Sequence, residues 1–205
     1  MNTQEIHSAL DKLFPEPKCE LNYQNNYQLL VAVILSAQCT DKRVNLVTDK
    51  LFKDYGTPQQ MQELLQEELE EKIHSCGFYH NKAKNILSMT KDLLEKFDGQ
   101  VPSEREKLET LAGVGRKTAN VVIAEAFKGQ AIAVDTHVLR VSNRLGFVKT
   151  DNPFLCEKAL MRIFAKNTWG KLHLQLVHFG RYICKAQSPN CKDCPFVKKC
   201  TKHNI

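Results

Sequence analysis

Four cysteines crowd the end of the chain, Cys184, Cys191, Cys194 and Cys200, in the spacing C-x6-C-x2-C-x5-C. Thiolates this close in sequence can wrap one small inorganic core, and such a core would supply folding energy that the segment otherwise lacks. Structural zinc sites usually come as two tight C-x2–4-C pairs. Only one short pair is present here, flanked by longer loops, so the spacing suits a cubic iron–sulfur cluster better while leaving zinc, or no metal, open. Lys185, Lys192, Lys198, Lys199 and Lys202 surround the ligands against the single acid Asp193. They read either as a solvated basic tail or as a metal-stapled platform offering positive charge to phosphates.

A second chemical group lies upstream, in Leu111-Ala112-Gly113-Val114-Gly115-Arg116-Lys117-Thr118-Ala119. Gly113 and Gly115 around one apolar residue allow a tight turn with positive φ and close backbone approach. Val114 tucks inward, and the amides of the turn and of the following helix make an anion site without side-chain charge. An ordinary αα-hairpin would need only one glycine, so the pattern points to a DNA-binding helix–hairpin–helix. Lys117 falls in the first turn of the following helix, where the positive end of the macrodipole favours the neutral, nucleophilic amine. Taken alone it reads first as an idle surface lysine. Eighteen residues later, Val134-Asp135-Thr136-His137-Val138 opens another helix. Asp135 suits its N-cap, and a carboxylate at such an end can also stabilise a sugar cation. His137 is a possible pocket residue, although a lone histidine is more often structural.

The elements that must position these groups read as helices almost throughout. Leu10, Leu13 and Phe14 share a face of an opening helix stopped by Pro15. Tyr27, Leu30, Val31, Ile34 and Leu35 form a broad apolar stripe of a buried helix. Thr57-Pro58-Gln59-Gln60 and Ser103-Glu104-Arg105-Glu106 are capping boxes, and Gly77 is a C-cap. Helices are expected over 117–127, 136–145, 154–165 and 172–184. No run alternates with period 2 for long; 131–134 is too short for a sheet. The fold class is therefore all-α, without repeats or flexible linkers.

With 205 residues the chain can bury one sizeable core or two small lobes. The net charge of +6 suits a polyanionic partner, though ribosomal and membrane-surface proteins share it. The longest apolar run, 29–35, is far short of a membrane span, and the N-terminus lacks a secretory pattern. A cytoplasmic, thiol-reducing setting follows, in which eight cysteines call for something other than disulfides. Cys19, Cys39, Cys76 and Cys156 read as small buried hydrophobes.

Taken together, Leu35-Ser36-Ala37-Gln38-Cys39-Thr40-Asp41, Gly77-Phe78-Tyr79-His80-Asn81-Lys82-Ala83, the glycine hairpin, Val134-Asp135-Thr136-His137 and the cysteine quartet resemble the endonuclease III family of DNA glycosylases, in the helix–hairpin–helix–Gly-Pro-Asp superfamily. The resemblance runs from about residue 20 to about residue 200. It implies two helical lobes with a cleft between them: 20–130, carrying the helix–hairpin–helix at about 104–127, and 1–19 with 131–205, ending in the cluster loop 184–200. It implies Lys117 as the nucleophile, Asp135 as the essential carboxylate, and Cys184, Cys191, Cys194 and Cys200 as ligands of one 4Fe–4S cluster. Gln38 and Phe78 match positions that fill or wedge the duplex once the damaged nucleotide leaves it, while Gly113, Val114, Gly115, Lys198 and Lys199 would contact DNA. Ala112 stands where the family usually has proline, and Phe78 where leucine is familiar.

The implied activity is excision of oxidised or ring-damaged pyrimidines from double-stranded DNA, coupled to abasic-site lyase chemistry through a Lys117 Schiff base, by a monomer on DNA that carries a damaged base or abasic site. Adenine glycosylases of the superfamily lack the lysine and carry a further C-terminal domain, whereas this chain runs only to Ile205. A mismatch-specific thymine or uracil glycosylase is likewise disfavoured by Lys117. A non-catalytic iron–sulfur DNA-binding protein would need neither Lys117 nor Asp135. Should Lys117 not be the nucleophile, Lys82 or the N-terminal amine is the alternative.

Overall fold

The structure, a computed structural model, describes residues 2–201. Helix α1 (Thr3–Leu13) starts where Asn2 accepts the Gln4 amide, buries Ile6 and Leu10, and ends at Phe14 before Pro15. It belongs to a compact unit made of residues 1–18 and 128–205; residues 19–127 form the other unit.

Within 19–127 the centre is α2 (Asn26–Leu35), in which every residue after Asn26 is buried. A helix apolar on all sides needs neighbours on all sides, and α3 (Asp41–Asp54), α6 (Tyr79–Lys96) and α8 (Arg116–Ala126) supply them. The Tyr27 hydroxyl, on α2, meets Thr90 Oγ1 of α6 at 2.6 Å, which satisfies the polar end of a buried ring. Two short helices precede α6: α4 (Pro58–Met61), with the Thr57–Gln60 capping box in place, and α5 (Gln66–Ile73). The expected C-cap at Gly77 is not formed, because α5 already ends at His74 in right-handed conformation. The short α7 (Arg105–Leu108) leads into the hairpin, but its N-cap is Glu104 and no Ser103 capping box forms. Arg105 Nε donates to Asn120 Oδ1 of α8 at 2.8 Å, which fixes the register one residue later than the sequence pattern suggests.

In the other unit, 131–134 is extended and buried but pairs with nothing as a strand. It leads to α9 (Thr136–Arg144), α10 (Pro153–Ile163) and α11 (Trp169–His178). α11 packs on α9 and on α1, where Gln175 Nε2 donates to Asp11 Oδ1 at 2.8 Å and to the Phe14 carbonyl at 3.0 Å. The helix expected to continue to Cys184 instead widens into a π turn over Phe179–Ile183. A Cβ on Gly180 would come within 2.8 Å of His137 Cβ, so glycine is what lets this turn lie against α9. All elements among the described residues are helical, and no helix there is long and apolar enough to cross a membrane.

Candidate active site and cysteine centre

The hairpin places its residues unequally. Val114 is buried, 5% exposed, and its amide donates to the Leu111 carbonyl at 3.1 Å, closing the turn. Gly113 has φ +77°, and a Cβ there would meet Asn85 Cβ at 2.9 Å. The turn thus needs glycine at 113 for both conformation and space. Gly115 differs from the expectation of positive φ: its φ is −92° and nothing lies within 4 Å of where its Cβ would be. As N-cap of α8 it offers no side chain to accept from the first N–H groups of that helix. Lys117 follows in the first turn of α8, exposed to solvent.

Asp135 is the N-cap of α9; its Oδ1 accepts the Val138 amide at 2.8 Å and the side chain is half-buried. Lys117 belongs to the 19–127 unit and Asp135 to the other. His137, one turn along α9, has Nδ1 at 3.3 Å from Arg140 Nη2 and its Cβ against Gly180. Both contacts hold α9 to itself and to the π turn.

The four cysteines do come together. They line one small cavity that opens to solvent, along with Phe179, Ile183 and Arg144. Burial pushes the Cys194 thiol up, and the neighbouring Cys184, Cys200 and Cys191 push it the same way. No group of three or more His, Cys, Asp or Glu among the described residues is placed to hold a metal ion. Two arginines that the sequence reading missed organise this centre. Arg144, nearly buried, has Nη1 at 3.5 Å from Cys184 Sγ and 2.6 Å from the Lys185 carbonyl, while its own carbonyl accepts from Cys200 Sγ at 3.2 Å. Arg140 Nη2 donates to the Gly180 carbonyl at 2.8 Å and the Cys184 carbonyl at 3.1 Å. Their spacing with His137, at i+3 and i+7 on one face of α9, was the available signal.

Among the tail lysines, Lys185, Lys192 and Lys198 are exposed. Lys199 is paired with the Glu5 carboxylate of α1, which lies below its usual range because of that ammonium. Lys202 lies outside the described residues.

Gln38 and Phe78 share an unusual backbone. Both are exposed, Phe78 by 63%, and both hold left-handed conformations that few side-chain-bearing residues adopt, with φ of 53° and 59°. Phe78 is the N-cap of α6 and is not a core aromatic. Lys82, the rival amine, is 5% exposed, and Nζ donates to the Leu35 carbonyl at 2.9 Å and the Ala37 carbonyl at 2.7 Å. Those bonds and that burial make it a poor nucleophile.

Comparison with known proteins identifies the family. The family described as "HhH-GPD superfamily base excision DNA repair protein" matches residues 31–166. Endonuclease III of Bacillus subtilis is 50% identical over 204 residues, covering 98% of this chain and 93% of the relative. Endonuclease III of Synechocystis is 47% identical over 197 residues, covering 96% and 90%. Among solved structures, a trapped endonuclease III–DNA covalent intermediate in an estranged-adenine complex superposes with TM-score 0.93 at 49% identity, covering 98% of this chain and 96% of the other. A thermostable thymine-DNA glycosylase, 23% identical with TM-score 0.85, shares the fold.

Proposed function

The chain belongs to the endonuclease III family of the HhH-GPD superfamily of base-excision DNA repair proteins, and from that membership we propose that it removes oxidised or ring-damaged pyrimidines from double-stranded DNA with Lys117 as nucleophile. It is a bifunctional DNA glycosylase and abasic-site lyase. The observation that carries the residue assignment is the placement of Lys117: a solvent-open amine in the first turn of a helix whose N-cap is a bare glycine. Phosphates would approach the start of that helix, where the macrodipole favours an anion, and the amine stands in the same turn.

A base inside the stack shields its sugar, so the lesion must first be extruded. A nonaromatic, oxidised pyrimidine stacks poorly, which lowers the cost of extrusion relative to an intact base. The neutral Lys117 amine then bonds to C1′ as the base leaves with the electron pair of the glycosidic bond. Asp135 stabilises the positive charge that builds on the sugar and assists proton transfer as the ring opens to the Schiff base. The iminium acidifies C2′; loss of that proton forms a C2′–C3′ double bond and expels the 3′ phosphate.

Four thiols around one cavity, with an arginine at one sulfur and no competing acid ligand, are a donor set fit for a 4Fe–4S cluster held by Cys184, Cys191, Cys194 and Cys200. When bound, that group supplies the ordering energy of the tail. We place the enzyme in the cytoplasm, acting as a monomer on DNA. Gln38 and Phe78 fill the duplex from which the nucleotide departs, Val114 seats the turn that Gly113 and Gly115 offer to the backbone, and Lys198 and Lys199 add charge at the tail. The test is borohydride reduction on abasic DNA, which should fix the imine as a permanent adduct. Lys117→Gln has no amine and should give no adduct while still binding DNA; robust trapping by that variant would overturn the assignment.

A further inference from the structure

Lys82 is an expensive residue where it stands. It lies in the first turn of α6, where the macrodipole disfavours a cation. It is nearly buried, and desolvation pulls its amine below the usual range. Its titratable neighbours are the Cys76 and Cys39 thiols, neutral near pH 7, and no carboxylate compensates its charge. Methionine would fill the same volume without these costs. What methionine would lack is the pair of donors that reach the Leu35 and Ala37 carbonyls.

Those acceptors are not equivalent. Leu35 is the last residue of α2, and its carbonyl belongs to the set a helix end leaves unpaired. Ala37 immediately precedes Gln38, so its carbonyl oxygen lies in the peptide plane that carries the Gln38 nitrogen. Pinning that oxygen fixes the plane, and with it the left-handed φ of Gln38 and the direction of its side chain. The backbone of the same lysine is tied to the second turn: its amide donates to the Phe78 carbonyl at 3.1 Å. One residue therefore holds, through its side chain and its main chain, the turns of both Gln38 and Phe78.

We infer that Lys82 is a positioning residue that locks the Gln38 turn to the Phe78 turn, so that the two side chains enter the duplex as one rigid pair. This rests on the reading of Gln38 and Phe78 as duplex-filling residues. It gives the buried cation a role in which opposite-strand contacts, and not the lyase chemistry, depend on it.

The experiment compares cleavage of one abasic site in duplex and in single-stranded DNA under single-turnover conditions, since only the duplex has a gap to fill. Lys82→Met should lower the duplex-to-single-strand ratio about tenfold, the scale of a displaced positioning group. Lys82→Arg retains donors and should restore most of the ratio. In a Gln38→Ala background, Lys82→Met should cost less than it does in the parent protein, because the two act through one turn. A Lys82→Met protein that loses both activities in equal measure has a structural lysine only, and the inference falls; so does it if Lys82→Arg is as impaired as Lys82→Met, or if the loss is undiminished in the Gln38→Ala background. If Gln38→Ala lowers the ratio and Lys82→Met leaves it as it was, Lys82 does not act through that turn. If neither Gln38→Ala nor Phe78→Ala lowers the ratio, the duplex-filling reading itself fails, and the inference with it.

Discussion

The Asp135 carboxylate accepts the Val138 amide at 2.8 Å, and that bond makes it an ordinary helix cap as well as a candidate catalytic group. Substitution can separate the two. Asp135→Asn keeps an oxygen for the Val138 amide and removes the charge, so thermal stability should change little. Asp135→Ala removes the cap as well, at a cost of about 1 kcal/mol in stability. If the carboxylate stabilises a developing sugar cation, both variants should lose base excision by ~3–4 kcal/mol, roughly several hundredfold, well beyond the cap term. Melting curves beside single-turnover excision would show it; an Asn variant with near-parental excision would reduce Asp135 to its structural part. Sequence placed Lys117 in a first helical turn and Asp135 at an N-cap because the signals are local: a glycine turn, a helix start, an amide three residues on. It named Lys82 only as a rival amine and Arg144 not at all, because their acceptors lie 47 and 41 residues away in sequence.

At the scale of the element, the two hairpin glycines have different reasons to be glycine. Gly113→Ala forces an L-residue to φ +77° and drives a Cβ onto Asn85; the conformation alone costs ~1–2 kcal/mol, and the melting temperature should fall. Gly115→Ala meets neither obstacle. Its stability should hold or rise slightly from the narrowed unfolded chain, while DNA affinity drops because a methyl now stands where the backbone of the turn would approach a phosphate. Equal destabilisation by both variants would contradict this division. The pattern Gly-x-Gly was legible as a hairpin, but which glycine serves the fold was not, since that depends on Asn85 of α6. Helix ends show the same split. Pro15 and the Thr57 capping box are local signals and the structure follows them. The Ser103 box and the unbroken helix to Cys184 fail where a distant contact intervenes, Asn120 on Arg105 in one place and His137 on Gly180 in the other.

At the scale of the molecule, a net charge of +6 is modest for a protein that must hold a polyanion, so the placement of its lysines matters more than their number. The segment after Cys184 has little to order it: among the described residues Phe196, 4% exposed, is its one buried apolar side chain, and much of the remainder is held by Arg144 and by the Lys199–Glu5 pair. Removing the cluster should therefore act on DNA binding through loss of order, since no ligand cysteine need touch DNA. Protein carrying the cluster should be yellow-brown with about four irons per chain; a colourless, active preparation with stoichiometric zinc would rule the cluster out. In the iron-loaded protein, log affinity should fall linearly with log salt, by about 0.9 per phosphate contact. Lys198→Ala should shallow that slope by about one contact. Lys199→Ala should shallow it less, because that ammonium is already engaged by Glu5. Cys194→Ser, if it prevents cluster assembly, should reproduce the Lys198→Ala loss within a protein whose 19–127 unit keeps its own core. A slope unmoved by either change would put the phosphate contacts at the hairpin amides alone, and leave the tail lysines as solvated charge.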